Sequence, residues 1–126
     1  MKTHFLYYLL LPLVVACKKP STPIASRLPE VSKGISSYTY QLVTAANSIV
    51  LDTGTVYRLG LGQYASFFKF DRRIKNGNLY YEAIEESTRQ LSPLKFYISN
   101  NGTGEVLGIT NPSAEETEKF NKAWQR

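Results

Sequence analysis

Two Asn-Gly pairs, each set between runs of aromatic and branched residues, do most to limit what this chain can fold into. A tight hairpin turn needs positive φ at both central positions, which Asn and Gly supply at little cost. Asn76-Gly77 lies between Phe67–Ile74 and Asn78–Ile84, and Asn101-Gly102 lies between Leu94–Ile98 and Glu105–Ile109. Each is read as a hairpin. Upstream, Tyr38, Tyr40 and Leu42 alternate with Thr39, Gln41 and Val43, the period of a half-buried strand. Ile49–Leu51 and Thr55–Leu61 form a further hairpin around Thr53-Gly54. The expected fold class is mainly β, a small antiparallel meander or barrel-like sheet of about six or seven strands. One stretch carries a second pattern, since Tyr80, Ile84, Ser87 and Leu91 also share a helical face. Its first half, to Ile84, is read as strand, and Glu85–Ser92 stays open.

The chain closes in a helix that packs on this sheet. Ser113 and Glu116 make a capping-box pair behind Asn111-Pro112. Acidic Glu115, Glu116 and Glu118 crowd the start, and Lys119, Lys122 and Arg126 gather toward the end, as the helix dipole favours. Glu115 with Lys119 and Glu118 with Lys122 stand i,i+4. Phe120 and Trp124, also i,i+4, form an apolar stripe that docks on the sheet.

The N-terminal segment has another character. Lys2 precedes an apolar run from Phe5 to Ala16, too short for the ~20 residues a bilayer span needs. Residues 1–16 have the anatomy of a secretory signal peptide and stand outside the fold. The closing Val14-Val15-Ala16-Cys17 resembles the lipobox of bacterial lipoproteins. The resemblance implies that Cys17 becomes the lipidated first residue, carrying three acyl chains and fixing the protein to a membrane. Lys18, where an aspartate would hold such a protein at the inner membrane, implies the outer membrane. Residues 17–34 follow as a lipidated cysteine and tether holding Pro20, Pro23 and Pro29, a composition that buries too little to order itself. Residues 35–126 remain for a single domain with a modest core.

Composition removes most familiar chemistry. The one histidine, His4, sits in the signal segment, and the one cysteine is Cys17. Serine or cysteine triads and imidazole zinc sites therefore have no residues to use beyond position 17. Intramolecular disulfides are excluded as well. No glycine-rich phosphate loop and no acidic calcium loop occurs, so no catalytic residue, metal or cofactor is assigned. Ile49-Val50-Leu51-Asp52-Thr53-Gly54-Thr55 resembles the active-site turn of aspartic proteases. Val106-Leu107-Gly108 and the helix after it occupy the place of the closing segment in retroviral-type members. That resemblance implies a homodimer sharing one proton between two copies of Asp52, and the chain departs from it in lacking a glycine-rich flap. Asp-Thr-Gly is also ordinary turn chemistry.

Fifteen Lys and Arg face 10 Asp and Glu, which leaves about +4 once Lys2 departs with the signal. The positive charge concentrates at Lys69, Arg72, Arg73 and Lys75. Arg72, Arg73 and Lys75 with Tyr81 are the expected partner-binding residues, at a sheet face or edge near the basic hairpin. Tyr38, Tyr40, Tyr57, Tyr64, Tyr80, Tyr81 and Tyr97 offer either strand packing or a binding face. Four functions stay open. The first is a non-catalytic lipid-anchored envelope protein with a protein partner and no nucleic-acid role. The others are a tethered inhibitor or immunity-type protein, a β-cup for an apolar ligand, and the homodimeric protease.

Overall fold

A computed structural model of the protein describes residues 28–124. The signal segment and Cys17 lie outside the described residues. The elements run α1 (Lys33–Ser36), β1 (Thr39–Thr44), β2 (Ala46–Thr53), β3 (Val56–Leu61), β4 (Phe68–Asp71), α2 (Gly77–Gln90), β5 (Leu94–Ser99), β6 (Val106–Thr110) and α3 (Ala114–Trp124). The fold is mainly β: six antiparallel strands in two three-stranded sheets, with the C-terminal helix α3 packed against β1.

The sheet orders are β1-β5-β6 and β2-β3-β4. Thr39–Thr44 pairs with Ser99–Leu94, and β6 returns along β5 with an irregularity after Tyr97. The chain bends at buried Ala45, whose carbonyl accepts Gly62 N–H at 2.9 Å, so β1 runs directly into β2 of the other sheet. On the opposite side the sheets meet where Lys69 N–H donates to the Gly104 carbonyl at 2.9 Å. The six strands thereby wrap one core. In β5 the alternation is complete, with Leu94, Phe96 and Ile98 turned inward and Lys95 and Tyr97 partly exposed. Phe67, just ahead of β4, and Phe68, its first residue, turn to opposite sides. Phe68 is buried, and Phe67 stands outside with the Arg58 guanidinium 5.4 Å from its ring centre.

The segment after Asn76 corrects the sequence reading. Asn76-Gly77 is no hairpin turn, and Asn78–Ile84 is no strand. Asn76 does adopt the left-handed conformation, at φ 64°, but it turns the chain from β4 into the 14-residue helix α2. Tyr80, Ala83, Ile84 and Ser87 are buried at i, i+3, i+4 and i+7 on the face that α2 packs against β2, and Tyr80, Ala83 and Ile84 join the common core. Burying each large apolar side chain contributes roughly 1.5–3 kcal/mol, a gain a two-stranded ribbon at this position would forgo. Gly77 is required here, because a Cβ would collide with the Arg72 carbonyl. Leu91, at φ 53°, closes the helix and stays exposed.

β5 and β6 form the hairpin expected around Asn101-Gly102, but through the longer loop 100–105, in which Gly102 and Gly104 rather than Asn101 take positive φ. The Thr53-Gly54 turn joins β2 to β3 with Gly54 at φ +56°. The α3 capping box forms too: Glu116 N–H donates to Ser113 Oγ at 3.1 Å, and Ser113 N–H to Glu116 Oε1 at 3.0 Å. Both i,i+4 ion pairs of α3 are present. At the other end, contacts of the domain begin ahead of Ile35, where the sequence placed its start. Leu28 packs on the core, Ser32 caps α1, and Val31 covers Gly108.

Candidate functional site

The turn between β4 and α2 gathers the basic residues and is built around Asp71. Its Oδ1 accepts the Thr55 hydroxyl at 2.9 Å and Arg73 N–H at 3.0 Å, while Oδ2 accepts Arg73 Nη2 at 2.9 Å. These bonds, those from the Arg73 side chain first, hold the Asp71 carboxyl well below the usual carboxylate range. Backbone bonds from Arg72 N–H to the Thr55 carbonyl (3.0 Å) and Gly77 N–H to the Ile74 carbonyl (2.8 Å) complete the turn.

Arg72 lies across this turn in a fixed pose. Its guanidinium carbon stands 3.9 Å from the centre of the Tyr81 ring, a close cation–π stack. Nε donates to Asn78 Oδ1 at 2.8 Å, and Nη1 reaches the Tyr57 hydroxyl at 3.5 Å. Tyr57 in turn lies 5.0 Å from Tyr81 and 6.3 Å from Phe70, ring centre to ring centre. Strand register makes this cluster: Tyr57 pairs with Phe70 and Val56 with Asp71, so β3 carries Tyr57 to the end of β4, where Arg72 follows. One turn into α2, Tyr81 faces the same point. Burial, and next the charge of Glu85, raise the Tyr81 phenol above its ordinary value.

Of the four expected partner-binding residues, Arg72 and Tyr81 form one unit. Arg73 borders the same groove as Arg72 but is engaged in an exposed pair with Asp71. Lys75 is exposed and borders a different groove, shared with Glu30, Ser32, Tyr38 and Tyr80. Tyr57, in the sequence only one of the seven tyrosines offered for packing or binding, and Asn78 and Asp71, which the sequence pattern does not single out, complete the cluster. Nothing in their spacing marks them, since only the β3–β4 register and the unexpected helix place them. The open groove beside Arg72 measures about 520 Å³ and is bordered by Thr55, Asn76, Gly77, Asn78 and Leu79.

Asp52 occupies the exposed end of the β2–β3 hairpin, where its Oδ1 accepts Arg58 Nη2 at 3.2 Å. Asp52-Thr53-Gly54 is thus a turn with a paired carboxylate. The tyrosines do not line up as one row: Tyr38, Tyr40 and Tyr64 are exposed, whereas Tyr80 is buried beside Ile84. The interior that an apolar-ligand cup would need is filled by Tyr80, Ala83 and Ile84 of α2. A wider open groove, about 710 Å³, lies outside the core between Thr44, Tyr64, Phe120 and Trp124. Among the described residues, no three His, Cys, Asp or Glu side chains gather as metal ligands, and no helix is long and apolar enough to cross a membrane.

No protein-family model matches this chain, and no curated protein matches it. Among solved structures, the crystal structure of pro-protein-glutaminase is similar over 67% of this chain and 29% of that one, with 14% identity and a TM-score of 0.56. The A47Q2 mutant of pro-protein-glutaminase is similar over 65% and 29%, with 13% identity and a TM-score of 0.55. The chain therefore spans under a third of the length of these structures. The likeness is one of fold.

Proposed function

We propose that this chain is a non-catalytic binding domain, held at a bacterial envelope surface by lipid on Cys17 and facing a protein partner. The observation that carries the reading is chemical. From Lys18 to Arg126 the chain has neither imidazole nor thiol, and Asp52, the one carboxylate in a catalytic-type motif, is paired with Arg58 at a hairpin tip. What the domain does offer is a pre-oriented arginine in an aromatic setting, the residue types that anchor protein interfaces. The test is cross-linking capture of the tagged, lipid-anchored protein from whole envelopes, with mass spectrometry of what is recovered. One protein recovered in near-equal amount supports the reading. Recovery of the chain alone or as a self-dimer counts against it.

A second reading, the tethered inhibitor, is favoured by one observation. The fold matches under a third of the pro-form of an enzyme, on a chain without thiol or imidazole past residue 17. We read the matched part as the pro-segment, a domain that would restrain an enzyme rather than be one. Ammonia release by protein-glutaminase, measured with and without the purified full chain, tests it. Stoichiometric inhibition supports the inhibitor role, and unchanged turnover at excess chain removes it for that enzyme.

A further inference from the structure

The Arg72 cluster specifies the chemistry of what it meets, and the inference rests on the binding-domain reading above. A guanidinium presents five N–H donors. Here Asn78 takes Nε, Tyr57 takes one donor of Nη1, and the Tyr81 ring covers one face. Among the described residues no carboxylate pairs with Arg72, and nothing is bonded to Nη2. The neighbouring carboxylates are turned elsewhere: Asp71 is held by Arg73 and Thr55, Glu85 lies against the Tyr81 phenol, and the first turn of α2 carries no acidic residue. The fork is therefore oriented, its rotamer entropy already lost, and its open end borders the groove beside Thr55 and Asn78. Planar, fixed guanidinium geometry suits two parallel bonds to a carboxylate.

We propose that Arg72 is the anchor for a carboxylate of an acidic peptide segment on the protein partner, seated in the groove between Thr55 and the first turn of α2. An anionic lipid surface fits the site less well. Asp71 neutralises Arg73, which leaves Arg72 and Lys75 as the turn's free cations, and a basic residue near an anionic membrane contributes only about 1 kcal/mol. Lipid attraction rewards many mobile charges, whereas this site holds one charge still.

The test uses the full chain, ¹⁵N-labelled, in zwitterionic detergent. It is titrated with the peptide acetyl-Gly-Asp-Glu-Asp-Glu-Gly-amide and with its Asn/Gln counterpart. The expected result is a saturable shift of the Arg72 Nε–H and Asn78 signals with the acidic peptide alone. Arg72→Lys weakens the binding at least tenfold, because an ammonium loses both the fork and the stack, and Lys122→Gln, at an exposed pair with Glu118 on α3, leaves it within twofold. If Arg72→Lys does not fold, Asn78→Ala, which frees Nε at an exposed position, must weaken the same titration. Equal binding by Arg72→Lys overturns the proposal. So does a response confined to phosphatidylglycerol vesicles, which would assign the site to lipid. Absence of any response to the acidic peptide also overturns it, yet leaves the binding-domain reading to be judged by the envelope capture.

Discussion

Ser87 in α2 accepts a hydrogen bond from the backbone N–H of Ala46 at 2.9 Å, across 41 positions of the chain, and its hydroxyl donates to the Ser92 carbonyl at 2.6 Å. Ser87 and Ala46 are both fully buried. One hydroxyl thus fastens α2 to the head of β2 and closes the helix's exit. Ser87→Ala leaves a buried donor and a partly buried acceptor unpaired, an expected cost of about 1–3 kcal/mol. Urea denaturation should show a lower midpoint with an unchanged slope.

Glu116 ties α3 to the sheet as well as capping it, since Lys95 Nζ of β5 lies 3.3 Å from the same Oε1 that accepts Ser113 N–H. That backbone bond first, and then Lys95, hold the Glu116 carboxyl below its ordinary value, and Asp71 is held down too. Each group binds fewer protons folded than unfolded, so its stabilisation is complete above the unfolded value near pH ~4 and is lost as pH falls through the folded value. Glu116→Gln should flatten the acid limb of the stability profile between about pH 5 and 2. Near neutral pH it should cost about 1 kcal/mol.

Gly77→Ala probes the turn that makes the Arg72 site. An added Cβ would meet the Arg72 carbonyl, which is backbone and cannot swing aside. Overpacking of this kind costs typically about 1–3 kcal/mol. The melting temperature should fall, and the Arg72 Nε–H signal should move because the turn has opened. A variant that melts normally would show that the turn relaxes without strain.

Asp52→Asn should do little. Both partners of its ion pair are substantially exposed, and such pairs contribute about 0–1 kcal/mol. Any peptide cleavage detected at acid pH in a preparation should be the same in wild type and variant. Cleavage abolished by the substitution would restore the protease reading.

Much of the fold is legible in pairwise sequence patterns. The Thr53-Gly54 turn, the β5–β6 hairpin and the α3 cap all rest on residues close in sequence, and all are in place. β1 forms as a strand, but its expected alternation does not sort by burial, since Tyr40 and Gln41 are both exposed and Leu42 and Val43 both half-buried. Asn76-Gly77 misleads for a physical reason. The dipeptide specifies a left-handed turn but leaves open whether a strand or a helix succeeds it, and Tyr80, Ala83, Ile84 and Ser87 bury more surface as a helix packed against β2. Tyr80, Ile84 and Ser87 are visible as a helical face in the sequence, in competition with the turn signal, and burial decides in their favour. The Arg72 cluster is half legible. Arg72 and Tyr81 stand out as charge and aromatic, but Tyr57 and Asn78 join them only through register and helix geometry, which no local pattern encodes.

Pairing β1 with β5 also sets an order of events. Residues 39–44 have their partners at residues 94–99, so β1 emerges early in synthesis and waits, an unpaired edge, until most of the chain exists. Closing so long a loop before any reward slows folding, and an open edge in the meantime invites pairing with other chains. On the proposed route across a membrane as a thread, that delay is tolerable while the thread is held extended. The fate of each molecule is then decided late, in the interval after Leu94 arrives.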